Sequence, residues 1–306
     1  MLNYIIELVS SPRTKQEGFM RNLLLIPMIG ILSLLATQPL QAGGSQPEVQ
    51  YIVMLYTGNI KSAGTDAKVS VTLNGTKGSH SFSIKGGEVH SGVVGSISRT
   101  ILRTKACNSF EKGSSCGRCL RIPSLGTIKE ILVRHNNKGS KAGWYLSHVN
   151  VFTGPKNNQK LVVFPCNRWL AKSADDGQIF RRLYPESSLV HYVLKVHTGS
   201  IKKAGTDARI RVDIAGTTKE EISAWQLSAP GDPFEKGQIN TFHIYSKSLG
   251  DLKTLRVAQD GTGKGSGWYL KKIDVYIADR PSKRWRFNYD RWLDSKRGQF
   301  AIGRAK

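Results

Sequence analysis

The sequence predicts an all-β protein built from two antiparallel β-sandwiches in tandem. Three observations carry that reading. The segment Ala-Gly-Thr-Asp-Ala stands at residues 63–67 and again at 204–208. Each copy is followed, in the same order, by Phe-Glu-Lys-Gly, Gly-Trp-Tyr-Leu and Trp-Leu; the landmarks are Asp66, Phe110 and Trp144, then Asp207, Phe234 and Trp268. Apolar and polar residues alternate between the landmarks, and clusters of Gly, Asn, Ser and Pro separate the runs, as short strands with one dry and one wet face require. A repeat this long closes its own core, so it is a domain and not a solenoid unit.

Residues 1–42 are expected to be a leader. Arg21 precedes an apolar stretch over 23–35 that gives way to Ala42, Gly43 and Gly44, the layout of a secretory signal too short for a comfortable span. The long stretch before it makes Met20 an alternative start, and an uncleaved anchor is the rival reading. The first sandwich is expected over 50–172, with strands at 51–56, 68–73, 118–122, 130–135, 144–152 and 161–164. In 68–73, Val69, Val71 and Leu73 point one way and Lys68, Ser70 and Thr72 the other. Residues 173–189 read as a linker, polar over 181–188, which restricts the two domains without fixing them. The second sandwich is expected over 190–294, with strands at 192–198, 209–214, 239–244, 252–259 and 272–277. Residues 295–306 read as a basic tail. No helical period appears outside the leader.

The chain has 45 Lys and Arg against 22 Asp and Glu, a net charge of +23. That charge points to anionic partners, namely acidic lipid, acidic glycan or nucleic acid, and does not choose among them. Solubility of a secreted protein is the plainer reading. Cys107, Cys116, Cys119 and Cys166 are disulfide candidates in a secreted chain; three pairings are open. Cys116 and Cys119 also form a CxxC, but no second CxxC stands at zinc-site spacing. Asn74-Gly75-Thr76 is a glycosylation sequon, expected in a surface turn.

The ordered set of motifs resembles the PLAT (lipoxygenase-homology) domain. Copy one reads Leu125-Gly126, Gly143-Trp144-Tyr145-Leu146, Phe164-Pro165-Cys166 and Trp169-Leu170; copy two reads Leu249-Gly250, Gly267-Trp268-Tyr269-Leu270 and Trp292-Leu293, and departs at Phe287-Asn288-Tyr289. The resemblance spans residues from about 50 to about 294 and implies two four-stranded sheets per copy, hence eight strands per sandwich. It also implies a non-catalytic module that docks on lipid or protein, often with calcium.

Taken by itself, Ala-Gly-Thr-Asp-Ala is a tight turn that its Asp can close through its own backbone. A calcium cage needs about six to eight oxygens, so a second loop must contribute. The resemblance places one before Gly-Trp-Tyr-Leu, where copy two has Asp260 and copy one Asn136. Calcium is therefore expected with Gly205, Thr206, Asp207 and Asp260, and less readily with Gly64, Thr65, Asp66 and Asn136. Glu111 and Glu235 are additional candidate ligands. Trp144 and Trp268 read as core, whereas Trp225, in a loop-like stretch, is the candidate exposed contact for a membrane or partner.

The stretch 283–306 interleaves basic residues with Trp285, Tyr289 and Trp292, a pattern that also suits nucleic acid. The resemblance instead puts 284–287 in the last strand with Trp292 closing the core, and secretion argues against that partner. Gly113-Ser114-Ser115-Cys116-Gly117 matches the hydrolase elbow formally, but a strand candidate follows where the elbow needs a helix. No catalytic residue is assigned. The expectation is a secreted, non-enzymatic docking protein for anionic lipid or protein partners, with calcium optional. The alternatives are a matrix protein held by acidic glycans and an accessory domain detached from an enzyme.

Overall fold

In a computed structural model describing residues 47–84, 110–155 and 157–306, the alternating runs become strands. The leader, Met20, Cys107 and most of the extra segment of the first copy lie outside the described residues. Among those described, no helix is long and apolar enough to cross a membrane. The first sandwich comprises β1 (Glu48–Thr57), β2 (Val69–Gly75), β3 (Ser79–Ile84), β4 (Ser115–Pro123), β5 (Ile128–His135), β6 (Trp144–Thr153), β7 (Lys160–Leu170) and β8 (Phe180–Leu183). Its sheets run β4-β1-β6-β7 and β3-β2-β5-β8. The second comprises β9 (Val190–Thr198), β10 (Ile210–Gly216), β11 (Glu221–Leu227), β12 (Ile239–Ser246), β13 (Leu252–Gln259), β14 (Trp268–Ile277), β15 (Arg280–Leu293) and β16 (Phe300–Arg304), in the orders β12-β9-β14-β15 and β11-β10-β13-β16. Every pairing is antiparallel.

Two expected boundaries are corrected. Part of the supposed linker is β8, which pairs with β5, and part of the supposed basic tail is β16, which pairs with β13. Both are edge strands of only four and five residues, too short for an alternation to register in the sequence. The connection that remains includes a 3-10 turn, Glu186–Ser188.

Each core is fastened by the same pair of polar aromatic anchors. Trp144 and Trp268 are fully buried and donate their indole N–H to the hydroxyls of Thr57 and Thr198, at 2.9 and 3.0 Å. Tyr51 and Tyr192 accept the backbone N–H of Leu125 and Leu249 at 2.8 and 2.9 Å. Gly75 and Gly216 are required because an added Cβ would collide with the carbonyl oxygen of Leu125 or Leu249. The departure from Phe-Pro-Cys is a volume exchange. Cys166 and Leu183 fill the first core, whereas in the second Tyr289 lies against Gly303, where an added Cβ would stand 2.9 Å from the ring.

Two of the described cysteines do not fulfil the disulfide expectation. Cys119 and Cys166 are free thiols. They sit on β4 and β7, the opposite edges of one sheet with β1 and β6 between them. Burial pushes the Cys166 thiol up to about 11. Cys116 is buried and Cys119 faces the other side of β4, because residues three apart on a strand point oppositely. The CxxC therefore cannot close on one ion. Asn74 is not in a turn. It lies within β2, half-buried, and donates its amide to Glu130 at 3.1 Å.

Side chains and backbone groups bind the sandwiches to each other. Asp175, whose side chain is wholly buried, takes the Arg168 guanidinium at 2.7 and 2.8 Å and Arg181 at 3.3 Å. It also accepts the Gln226 N–H of β11 at 3.0 Å, while its own N–H goes to the Gln226 side chain at 3.1 Å. Trp169 donates to Ser228 at 3.2 Å, and Arg209 to the Ser173 carbonyl at 2.9 Å. We expect Asp175→Ala to cost about 3 kcal/mol in urea unfolding, since it removes the buried carboxylate and leaves two poorly solvated guanidinium groups to share Asp176 alone. Small-angle scattering should then report a more extended chain; an unchanged profile and unchanged stability would refute the role.

Candidate functional site

The loop between β9 and β10 is held from beneath. The Thr206 hydroxyl is turned inward, donating to the Ser266 carbonyl at 3.1 Å and accepting the Ala208 N–H at 3.1 Å. Thr65 does the same in the first copy, with Ala142 and Ala67 at 2.9 and 3.1 Å. Both Thr side chains are thus spent on the fold. Asp207, the next residue, is exposed and accepts the Gly265 N–H at 3.0 Å.

Phe-Glu-Lys-Gly explains itself here. Phe234 is buried, 5.3 Å from the Trp268 ring, and its left-handed backbone (φ 73°) is held by the Asn240 side chain, which accepts its N–H at 2.8 Å. That anchor turns Glu235 outward beside Gly205, where an added Cβ would stand 3.1 Å from the carboxylate. Glu235, Asp232 and Asp207 then bring one carboxylate oxygen each within 4.8 Å of one another. Three carboxylates so close repel one another, a cost that a hard cation relieves.

This is not the expected set. Asp260 stands outside the group. Its Oδ1 takes the N–H of Arg209 at 3.1 Å and both the N–H and hydroxyl of Thr262 at 3.0 and 2.6 Å. Desolvation opposes its ionisation, but those bonds outweigh it and hold the carboxyl below the usual range. Asn136 uses its Oδ1 identically, for the N–H of Lys68 and Lys138 at 3.1 and 3.2 Å. The position wants an oxygen that pins a turn, and a neutral amide serves as well as a carboxylate. Sequence reasoning missed Asp232, two residues before Phe234. The corresponding residue of the first copy is Asn108, outside the described residues.

The first copy closes on itself. Asp66 accepts the Ser140 N–H and hydroxyl at 3.1 and 3.0 Å and the Lys141 N–H at 2.9 Å. Desolvation is again outweighed, and its carboxyl is held below the ordinary value. Both oxygens are occupied by the opposing loop, with exposed Lys138 and Lys141 alongside. Glu111 flanks Gly64, 3.2 Å from where a Cβ would be.

Trp225 is corrected outright. It is buried in the second core, with the Arg168 guanidinium 4.7 Å above its ring. Trp292 does not close that core. Leu293 does, and Trp292 is half-buried between Tyr269 and Arg297. The formal hydrolase match runs directly into β4, a strand where the elbow needs a helix.

The sequence profile of the PLAT/LH2 domain matches residues 51–181 and 192–300. The mouse lipoxygenase homology domain-containing protein 1 is 31% identical over 255 residues, 80% of this chain and 12% of that protein. The PLAT domain-containing protein 2 of Arabidopsis thaliana is 27% identical over 125 residues, 38% of this chain and 68% of that protein. A solved coral 8R-lipoxygenase, described as calcium-activated via a C2-like domain, aligns at 22% identity with a TM-score of 0.33, covering 44% of this chain and 17% of that one. The chain thus spans only about an eighth of the length of the mouse relative.

Because the Asp66 carboxyl is depressed, its contribution is present above the unfolded carboxylate pKa and is lost as pH falls through the folded one. Asp66→Asn should lower the thermal transition by about a few degrees at neutral pH, with or without calcium, and by less at acid pH. A calcium-dependent loss instead would show that the first loop end is a metal site.

Proposed function

From the premise that this chain belongs to the PLAT/LH2 family and carries its domain twice, we propose that it is a secreted, non-catalytic docking protein for anionic lipid surfaces. What supports the reading is the charge. With +23 on the chain and 45 Lys and Arg against 22 Asp and Glu, the surface is strongly cationic. Each Lys or Arg near an acidic bilayer adds roughly 1 kcal/mol and fades with salt. The buried junction makes the two sandwiches a single body, so both face a surface in a fixed relation.

Calcium enters through the second sandwich only. Asp207, Asp232 and Glu235 supply the carboxylates, and backbone carbonyls with waters complete the shell. The first loop end, already closed by Asp66, needs no ion. In an oxidising compartment the pair left over from the two free thiols, Cys107 and Cys116, is the one to form a bridge. Glycosylation at Asn74 requires breaking its bond to Glu130. The matrix reading, with acidic glycan as partner, shares the charge but not the need for a bilayer.

Flotation with vesicles separates the two. Binding should rise with phosphatidylserine content and collapse at high salt; retention on heparin without vesicle binding would favour the glycan. Calcium should raise the thermal transition of the wild type and leave that of Asp207→Asn/Asp232→Asn unmoved. The calcium assignment fails if the double variant responds as the wild type does.

A further inference from the structure

Phe300 and Ile302 are the most unusual apolar residues outside the cores. They stand two apart on β16, 52% and 60% exposed. The strand period sends Phe300, Ile302 and Arg304 to the outer side and Ala301 and Gly303 to the core. β16 is the edge of its sheet. Across from it, β13 sets Arg256 opposite Ile302, and the Arg256 guanidinium lies 4.7 Å from the Phe300 ring centre. Asp213 balances Arg256 at 2.9 Å, and Arg304 adds a further cation at the end of the strand.

The first sandwich repeats the arrangement. Phe180 opens β8, 42% exposed and directly opposite Arg134, and Arg182 follows on the same side. Two domains that differ at their loop ends agree here. Among the described residues, the three cavities seen are lined without Phe180, Phe300 or Ile302. The apolar groups therefore project from a sheet margin and do not line a pocket built to receive a side chain. Raised apolar side chains among guanidinium groups match the boundary between acyl chains and headgroups: the ring and the branched chain enter, and the arginines stay with phosphate.

We propose that the outward face of β16, with Phe300, Ile302, Arg256 and Arg304, is where the second sandwich seats on an anionic membrane. This rests on the lipid reading above and places the contact at a sheet edge, in place of Trp225, which is buried. Because both apolar side chains are already solvated, replacing them leaves the fold intact.

The full chain is tested against phosphatidylcholine vesicles, pure or enriched in phosphatidylserine, with and without calcium. Phe300→Ser/Ile302→Ser should lose about tenfold in partitioning under both calcium conditions, with an unchanged thermal transition. Arg304→Glu, a second variant on the same face, should weaken binding only to the phosphatidylserine vesicles. If Phe300→Ser/Ile302→Ser binds like the wild type, the sheet-edge assignment is overturned and the lipid reading stands. If the wild type ignores phosphatidylserine vesicles altogether, both are overturned. Should the same variant lose heparin retention while keeping vesicle binding, the face belongs to a polyanion and the membrane assignment is overturned.

Discussion

One indole N–H in each half governs the rest. Trp144 and Trp268 are wholly buried, and a donor left unpaired there costs about 1–3 kcal/mol. The acceptor is the hydroxyl of Thr57 or Thr198, the last residue of β1 or β9. The Thr-Gly pair ending that strand is therefore a packing requirement. The ring in turn packs against Phe110 or Phe234, at 4.9 and 5.3 Å. That Phe fixes the residue after it, so Glu111 and Glu235 inherit their positions from a core contact. A loop end that looks like independent surface chemistry is an extension of one aromatic pair.

On this common frame the copies have diverged where the frame is silent. The polar anchors, the buried Thr of each turn and the glycine beneath each carbonyl are the same in both. The carboxylates differ. Asp66 is tied down by Ser140 and Lys141, whereas Asp207 faces two other acids. Cys166 with Leu183 and Tyr289 with Gly303 are two ways of filling the same space. The acidic groups of the junction come from the first copy: its loop carries Asp175 and Asp176, whereas the corresponding loop of the second has Asp294, which is spent on Lys296 and Arg297 of its own turn.

The strands missed in the sequence share a place. β3, β8, β11 and β16 are the two edges of the corresponding sheet in each sandwich. An edge strand buries little, tolerates polar residues on both sides and so loses the alternation by which central strands such as β2, β10 and β14 declare themselves. Trp225 was misjudged for the same reason. Its stretch reads as a loop, yet β11 carries it to the junction, where Arg168 covers it. The candidate metal group was half legible. Asp207 and Glu235 stand in repeated motifs, but Asp232 lies outside them and joins only because Phe234 turns its loop.

The sequence alone determined that the protein is one β-sandwich used twice, which residues of its central strands face inward, and that its net charge is strongly positive. Those properties follow from period, repeat and composition, each of which is local or additive along the chain. Tertiary structure decided which carboxylates meet, which cysteines stay apart, where the first domain ends and that the two halves are joined. Each of those depends on distances between residues far apart in sequence, and such distances are set only when the sheets pack.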